Sequence, residues 1–107
     1  MTERQSRDHV ARFNTAVTSG DWTTFLTGFA DDAVMTFDGP PVGPFNGKDQ
    51  IAQGYATQPP EDTMEITSVH SAGAVDTVAF RWTRGGTGTM TIHRRDNLIT
   101  NLGIAFD

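Results

Sequence analysis

Apolar side chains near the start of the chain recur at helical spacing. Val10, Phe13 and Val17 stand at i, i+3 and i+7, which places them on one face of an α-helix. Thr2 and Gln5 have the spacing of a capping box at its beginning. Ser19-Gly20 predicts its end, because glycine takes the left-handed closing conformation without a Cβ penalty. Asp21 then stands where an N-cap belongs, and Trp22, Phe25, Leu26 and Phe29 form an aromatic-rich stripe on a short second helix. Over 33–38 the period shortens to that of a strand, with Met35 and Phe37 on one face and Val34, Thr36 and Asp38 on the other. Gly39-Pro40-Pro41-Val42-Gly43-Pro44 reads as a rigid loop or a short edge hairpin, since proline has no amide to give to a helix or a central ladder. Asn46-Gly47 marks a turn. Ile51, Ala52 and Tyr55 then space a third helix over 48–57, which Gln58-Pro59-Pro60 terminates.

From Glu61 onward the pattern is that of strands. Segments 63–71, 75–83, 86–95 and 98–106 are rich in Thr, Val, Ile and aromatics. Ala72-Gly73, Gly85-Gly86 and Asp96-Asn97 supply the turns between them. Val78, Phe80 and Trp82 share a face, as do Leu102, Ile104 and Phe106. Helices followed by an antiparallel meander give an α+β domain in which the helices cover one sheet face. The 107 residues form a single domain, 1–107, without repeat or linker. A sheet of this length twists and curls, and helices laid on its concave side leave a wedge-shaped space beneath them.

Charge narrows the function. Eight Lys+Arg against thirteen Asp+Glu give a net charge of −5, which argues against a nucleic-acid or anionic-membrane partner. The absence of cysteine removes disulfides, thiolate nucleophiles and cysteine metal sites. Met1-Thr2-Glu3-Arg4 opens no apolar leader, so a cytoplasmic location is expected.

Three short runs carry a family likeness: Ser19-Gly20-Asp21-Trp22, Phe29-Ala30-Asp31-Asp32-Ala33-Val34, and Gly47-Lys48-Asp49-Gln50-Ile51 continuing to Tyr55-Ala56. In order and spacing the chain resembles the nuclear transport factor 2-like superfamily, within it the ketosteroid isomerase and polyketide cyclase group. The resemblance implies a cone-shaped, curved antiparallel sheet with three helices from the N-terminal half on its concave face, a cystatin-like roll. It further implies a conical cavity, a small hydrophobic ligand, no cofactor, and a homodimer through the outer face of the sheet. In ketosteroid isomerases an aspartate on the first strand shuttles the proton, while a tyrosine and a protonated aspartic acid hold the enolate oxygen. Here the tyrosine's place falls on Phe13 and the acid's on or near Met90, neither of which donates a proton. The base position falls on Phe37, with Asp38 one residue late, and a one-residue step along a strand points a side chain to the opposite face. Tyr55 lies where related isomerases place a supporting tyrosine.

The candidate chemistry follows. Asp38 is the candidate acid/base, set against a plain solvated turn acid before Gly-Pro-Pro. Tyr55 is the candidate hydrogen-bond donor, set against a helix-face aromatic tied to a neighbour. Phe13, Val17, Trp22, Phe25, Met35, Phe37, Phe80, Trp82, Met90 and Phe106 are candidate pocket-lining residues and, first of all, core. His70 and His93 read as polar strand residues, and His9 as near a pocket mouth at best. The three histidines lack metal-ligand spacing. Arg81, Arg84, Arg94 and Arg95 read as partners of acids or as an interface, and Asp31-Asp32 as a turn. The expectation is a cofactor-free isomerase or lyase that moves a proton on an apolar carbonyl compound. Classical steroid isomerisation is not expected without the oxyanion pair. The alternative is a non-catalytic homodimeric binding protein for a small hydrophobic ligand.

Overall fold

Helix α1 runs over Thr2–Ser19 and buries Ser6, His9, Val10, Phe13 and Ala16 along one side. Gly20 closes it with φ of +78°, its amide donating to the Ala16 carbonyl at 2.8 Å. The Asp21 carboxylate accepts the Thr23 amide at 3.0 Å one residue ahead of the expected place, since Trp22 and not Asp21 is the N-cap of the single-turn helix α2, Thr23–Leu26. These elements come from a computed structural model that describes residues 2–39 and 42–107, with Thr2 described by its backbone alone. The expected capping group at Thr2 and the Pro40-Pro41 bend lie outside the described residues. Gln5 donates to the Asn97 side chain at 2.9 Å, on a distant hairpin.

Strand β1 spans Phe29–Asp38, so α2 ends before Phe29 instead of including it. Phe29 pairs with Ile99, and an irregularity between Phe29 and Val34 breaks the alternation that would have revealed the early start. Strand β2 is the pair Phe45–Asn46, which adds an antiparallel edge to β1. Helix α3, Lys48–Thr57, follows Gly47, whose φ of +92° is a conformation that favours glycine. The meander is β3 Met64–Ala72, β4 Val75–Trp82, β5 Thr87–Arg95 and β6 Leu98–Phe106. Asp96 and Asn97 both take positive φ in the last hairpin turn, the conformation of the two-residue turn their types favour.

The six strands form one curved, unclosed sheet ordered β2-β1-β6-β5-β4-β3. All neighbours are antiparallel except β1 and β6, which run parallel. Irregularities between Ile66 and Ser68, and between His93 and Arg94, add local bends. The inner face carries Met35, Val78, Phe80, Met90, Ile92, Leu102 and Ile104, which pack against Phe13, Phe25, Ile51 and Tyr55 from the helices. A buried polar cluster interrupts this core beneath the first turns of α1. Arg94 pairs with Asp76 at 3.5 Å, the side chains being 6% and 0% exposed, and the Ser6 hydroxyl donates to the same carboxylate.

Candidate functional site

Between the inner face of the sheet and the helices lies a cavity of about 270 Å³. Its floor is laid by strand alternation: Met35 and Phe37 from β1, Leu102, Ile104 and Phe106 from β6, Met90 from β5, Trp82 from β4 and Met64 from β3. Phe13 and His9 from α1, and Gly54 and Tyr55 from α3, form the cover, while Phe45, Val42, Gln58 and Pro60 complete the wall. Phe37, Phe106 and Trp82 stand in a nearly parallel row on three strands, with ring centres 6.2 and 6.3 Å apart. The row has room because Gly88 lies opposite both Phe106 and Phe80 in the ladders. A Cβ at Gly88 would meet the Phe80 ring at 2.5 Å and the Ala105 carbonyl at 2.6 Å.

Among the described lining residues the side-chain polar groups are those of His9, Tyr55, Gln58 and the indole N–H of half-buried Trp82, and no carboxylate or cationic chain is present. Gln58 is exposed and Trp82 half-buried, leaving His9 and Tyr55 as the buried polar side chains. Tyr55 is buried, stacked on Trp22 at 4.4 Å, and its hydroxyl donates to the Met35 sulfur at 3.4 Å. Burial pushes the phenol well above its ordinary range, so it stays protonated. His9 is 6% exposed. Its ring lies 5.0 Å from that of Phe25 and 5.9 Å from that of Phe29. Burial, and then the nearby Arg94 and Arg12 charges, lower its pKa to about 3. The imidazole is therefore neutral at physiological pH, with one N–H donor and one lone pair.

The structure places seven expected residues at this cavity: Phe13, Met35, Phe37, Tyr55, Trp82, Met90 and Phe106. Val17, Trp22, Phe25 and Phe80 do not line it. Phe25 and Phe80 are fully packed core, and Val17 and Trp22 pack against that core from its edge. The expectation for Asp38 is corrected. It is exposed and sits in a shallow depression on the outer face with Thr36, Thr89, Thr91, Gly103 and Ala105. The register from Val34 to Asp38 is continuous, so with Phe37 facing inward, Asp38 must face outward. His9 is corrected too, from the mouth to the interior. Its signal was present: it stands one turn before Phe13, on the same buried face. Val42, Phe45, Gly54, Gln58, Pro60, Met64, Leu102 and Ile104 line it without being among the expected residues. Among the described residues no group of three or more His, Asp or Glu side chains is placed to hold a metal ion, and no helix is long and apolar enough to cross a membrane.

The family follows from the sequence matched over nearly this whole architecture: residues 10–106 fit the model of the SnoaL-like domain. The chain belongs to the SnoaL-like domain family. No curated protein sequence matches it. Solved structures share the SnoaL-like fold at low identity. A nuclear transport factor 2-like protein from Anabaena variabilis superposes with a TM-score of 0.78 at 18% identity, covering 99% of this chain and 89% of its own. A protein provisionally named a ketosteroid isomerase, from Kribbella flavida, gives 0.74 at 16%, covering 97% and 78%. A provisionally named polyketide cyclase from Sinorhizobium meliloti gives 0.73 at 21%, covering 91% and 93%. At these identities the likeness establishes the fold alone. Phe13 and Met90 both face the cavity as apolar groups.

Proposed function

We propose that this SnoaL-like domain binds a compact, predominantly apolar small molecule in the cavity under its curved sheet, without a cofactor. One observation carries the reading: a cavity of about 270 Å³ whose wall is predominantly apolar, its inner polar groups being those of His9, Tyr55 and the Trp82 indole. At roughly 30 Å³ per displaced water, that volume corresponds to on the order of nine waters. It lies just under the usual range for ligand pockets of roughly 300–1,000 Å³. The fit is to a one- or two-ring molecule, not to a four-ring steroid.

Proton-transfer chemistry on a carbonyl compound is the second reading, favoured by the names that the Kribbella and Sinorhizobium relatives carry. Here it lacks a carboxylate at the cavity, since Asp38 faces outward. The neutral His9 imidazole, with its pKa near 3, is a weak base far from the optimum for general catalysis. Binding is therefore placed first. As in the family resemblance, a second copy of the chain is proposed to pack on the outer sheet face. The support is a surface of short side chains, Thr36, Thr89, Thr91 and Ala105 around Gly103, which allows close approach. Sedimentation equilibrium at micromolar concentration tests this point, and a monomer throughout would refute it.

The test of function is thermal stabilisation by small cyclic ketones, alongside NMR detection of deuterium exchange next to the carbonyl. Binding predicts a raised melting temperature with exchange no faster than in buffer. Catalysed exchange would move the enzyme reading to first place. Absence of any shift with all ketones and with the parent hydrocarbons would remove the pocket reading.

A further inference from the structure

Resting on the pocket reading, we infer that His9 is the specificity-determining residue of the cavity, donating a hydrogen bond from its imidazole N–H to a carbonyl or hydroxyl oxygen of an otherwise apolar, uncharged ligand. His9 is more than nine-tenths buried and lines the cavity. Its contacts within the described chain are the Phe25 and Phe29 rings and the charges of Arg94 and Arg12, with no hydrogen bond to either ring nitrogen. A buried polar group without a protein partner takes one from water or ligand. Tyr55 differs, because its hydroxyl already donates to the Met35 sulfur.

The neighbours of His9 keep the ring uncharged. Arg12 lies on its own helix, and Arg94 reaches in from β5, bound to Asp76 of β4 and to Ser6 of α1. Both guanidinium groups oppose a second positive charge nearby. The phenylalanine rings fix the imidazole plane. The resulting group offers a buried, uncharged donor in a predominantly apolar hollow. A hydrocarbon entering there displaces water and leaves that donor bare, whereas a ketone of the same shape replaces the lost bond.

The test uses decalin, decalone and decalol on the intact protein, read by calorimetry and by ¹⁵N NMR of the histidine rings. Decalone and decalol are expected to bind roughly tenfold more tightly than decalin, the size of one hydrogen bond in a closed site. The His9 N–H resonance should move downfield on adding decalone, which supplies an acceptor, and upfield with decalin, which strips the donor of its water. In His9→Leu the preference should fall to about onefold while decalin affinity holds or rises. Should His9→Leu fail to fold, the NMR shift in the native protein decides alone. Equal affinity for decalone and decalin, an unmoved His9 resonance in the ketone complex, or loss of the preference in Tyr55→Phe but not in His9→Leu would each overturn the assignment. Failure of all three compounds to bind would overturn the pocket reading itself, and this inference with it.

Discussion

His9 shows how far one side chain departs from its solution behaviour once its neighbours are fixed. The unfolded chain takes up a proton on this residue near pH 6.5, whereas the folded chain refuses it until about pH 3. Between those values the unfolded state holds more protons, so stability rises with pH and is lost on acidification. The loss approaches about 1.4 kcal/mol per pH unit inside that window and is absent above it. Arg94 and Arg12 face the ring, and Asp76 tempers Arg94. Urea unfolding of the native protein and of His9→Gln at pH 7 and near pH 4.5 should show the native protein losing more stability, by about 2 kcal/mol. Parallel losses would refute the effect. Gly88 makes a second residue-scale prediction. A methyl there meets a backbone carbonyl that cannot turn aside, so Gly88→Ala should cost about 1–3 kcal/mol in denaturant unfolding. For Asp38, which stands outside the cavity, Asp38→Asn should leave ligand affinity unchanged within about twofold.

At the scale of elements, the wall of the cavity depends on how closely α3 and β2 approach. Phe45 lies edge-on over Gly54, and a Cβ there would come within 2.8 Å of the ring. Gly54→Ala gains up to about 1 kcal/mol of helix propensity but pushes the ring aside, and Phe45 itself lines the cavity. Ligand affinity should fall several-fold with little change in melting temperature, measured by calorimetry on both proteins. Elements of this kind were the legible part of the sequence. The 3.6-residue stripe of α1, the glycine stop at Gly20 and the Asp96-Asn97 turn are local codes, and the structure obeys them. The start of β1 was not legible, because Phe29 is held as a strand by Ile99, seventy positions away in sequence. The parallel pairing of β1 with β6 was hidden for the same reason. At the site, alternation alone already distinguished Phe37 from Asp38. The interior place of His9 was legible from its position one turn before Phe13, whereas the rings that flank it, from α2 and β1, were not.

The whole molecule gives part of a small core to a ligand-sized cavity. A domain of this size has a thin stability margin, and an unfilled hollow weakens it. Filling the hollow should therefore register globally: a ligand at one hundred times its dissociation constant adds about 2.7 kcal/mol to unfolding, readable as a melting shift of several degrees. No shift at saturation would mean that the molecule had bound elsewhere or not at all. The order of the strands has another consequence. Leu98–Phe106 forms the partner of both β1 and β5, so the first long strand made during synthesis stays without its central neighbour until Phe106 has cleared the ribosome. With the amino-terminal half emerging first at roughly 5–20 residues per second, Met35 and Phe37 wait for seconds with their apolar faces uncovered. This sheet is therefore assembled after translation of its last strand, not strand by strand, and a nascent chain stalled before residue 98 is the form that chaperones should bind most strongly.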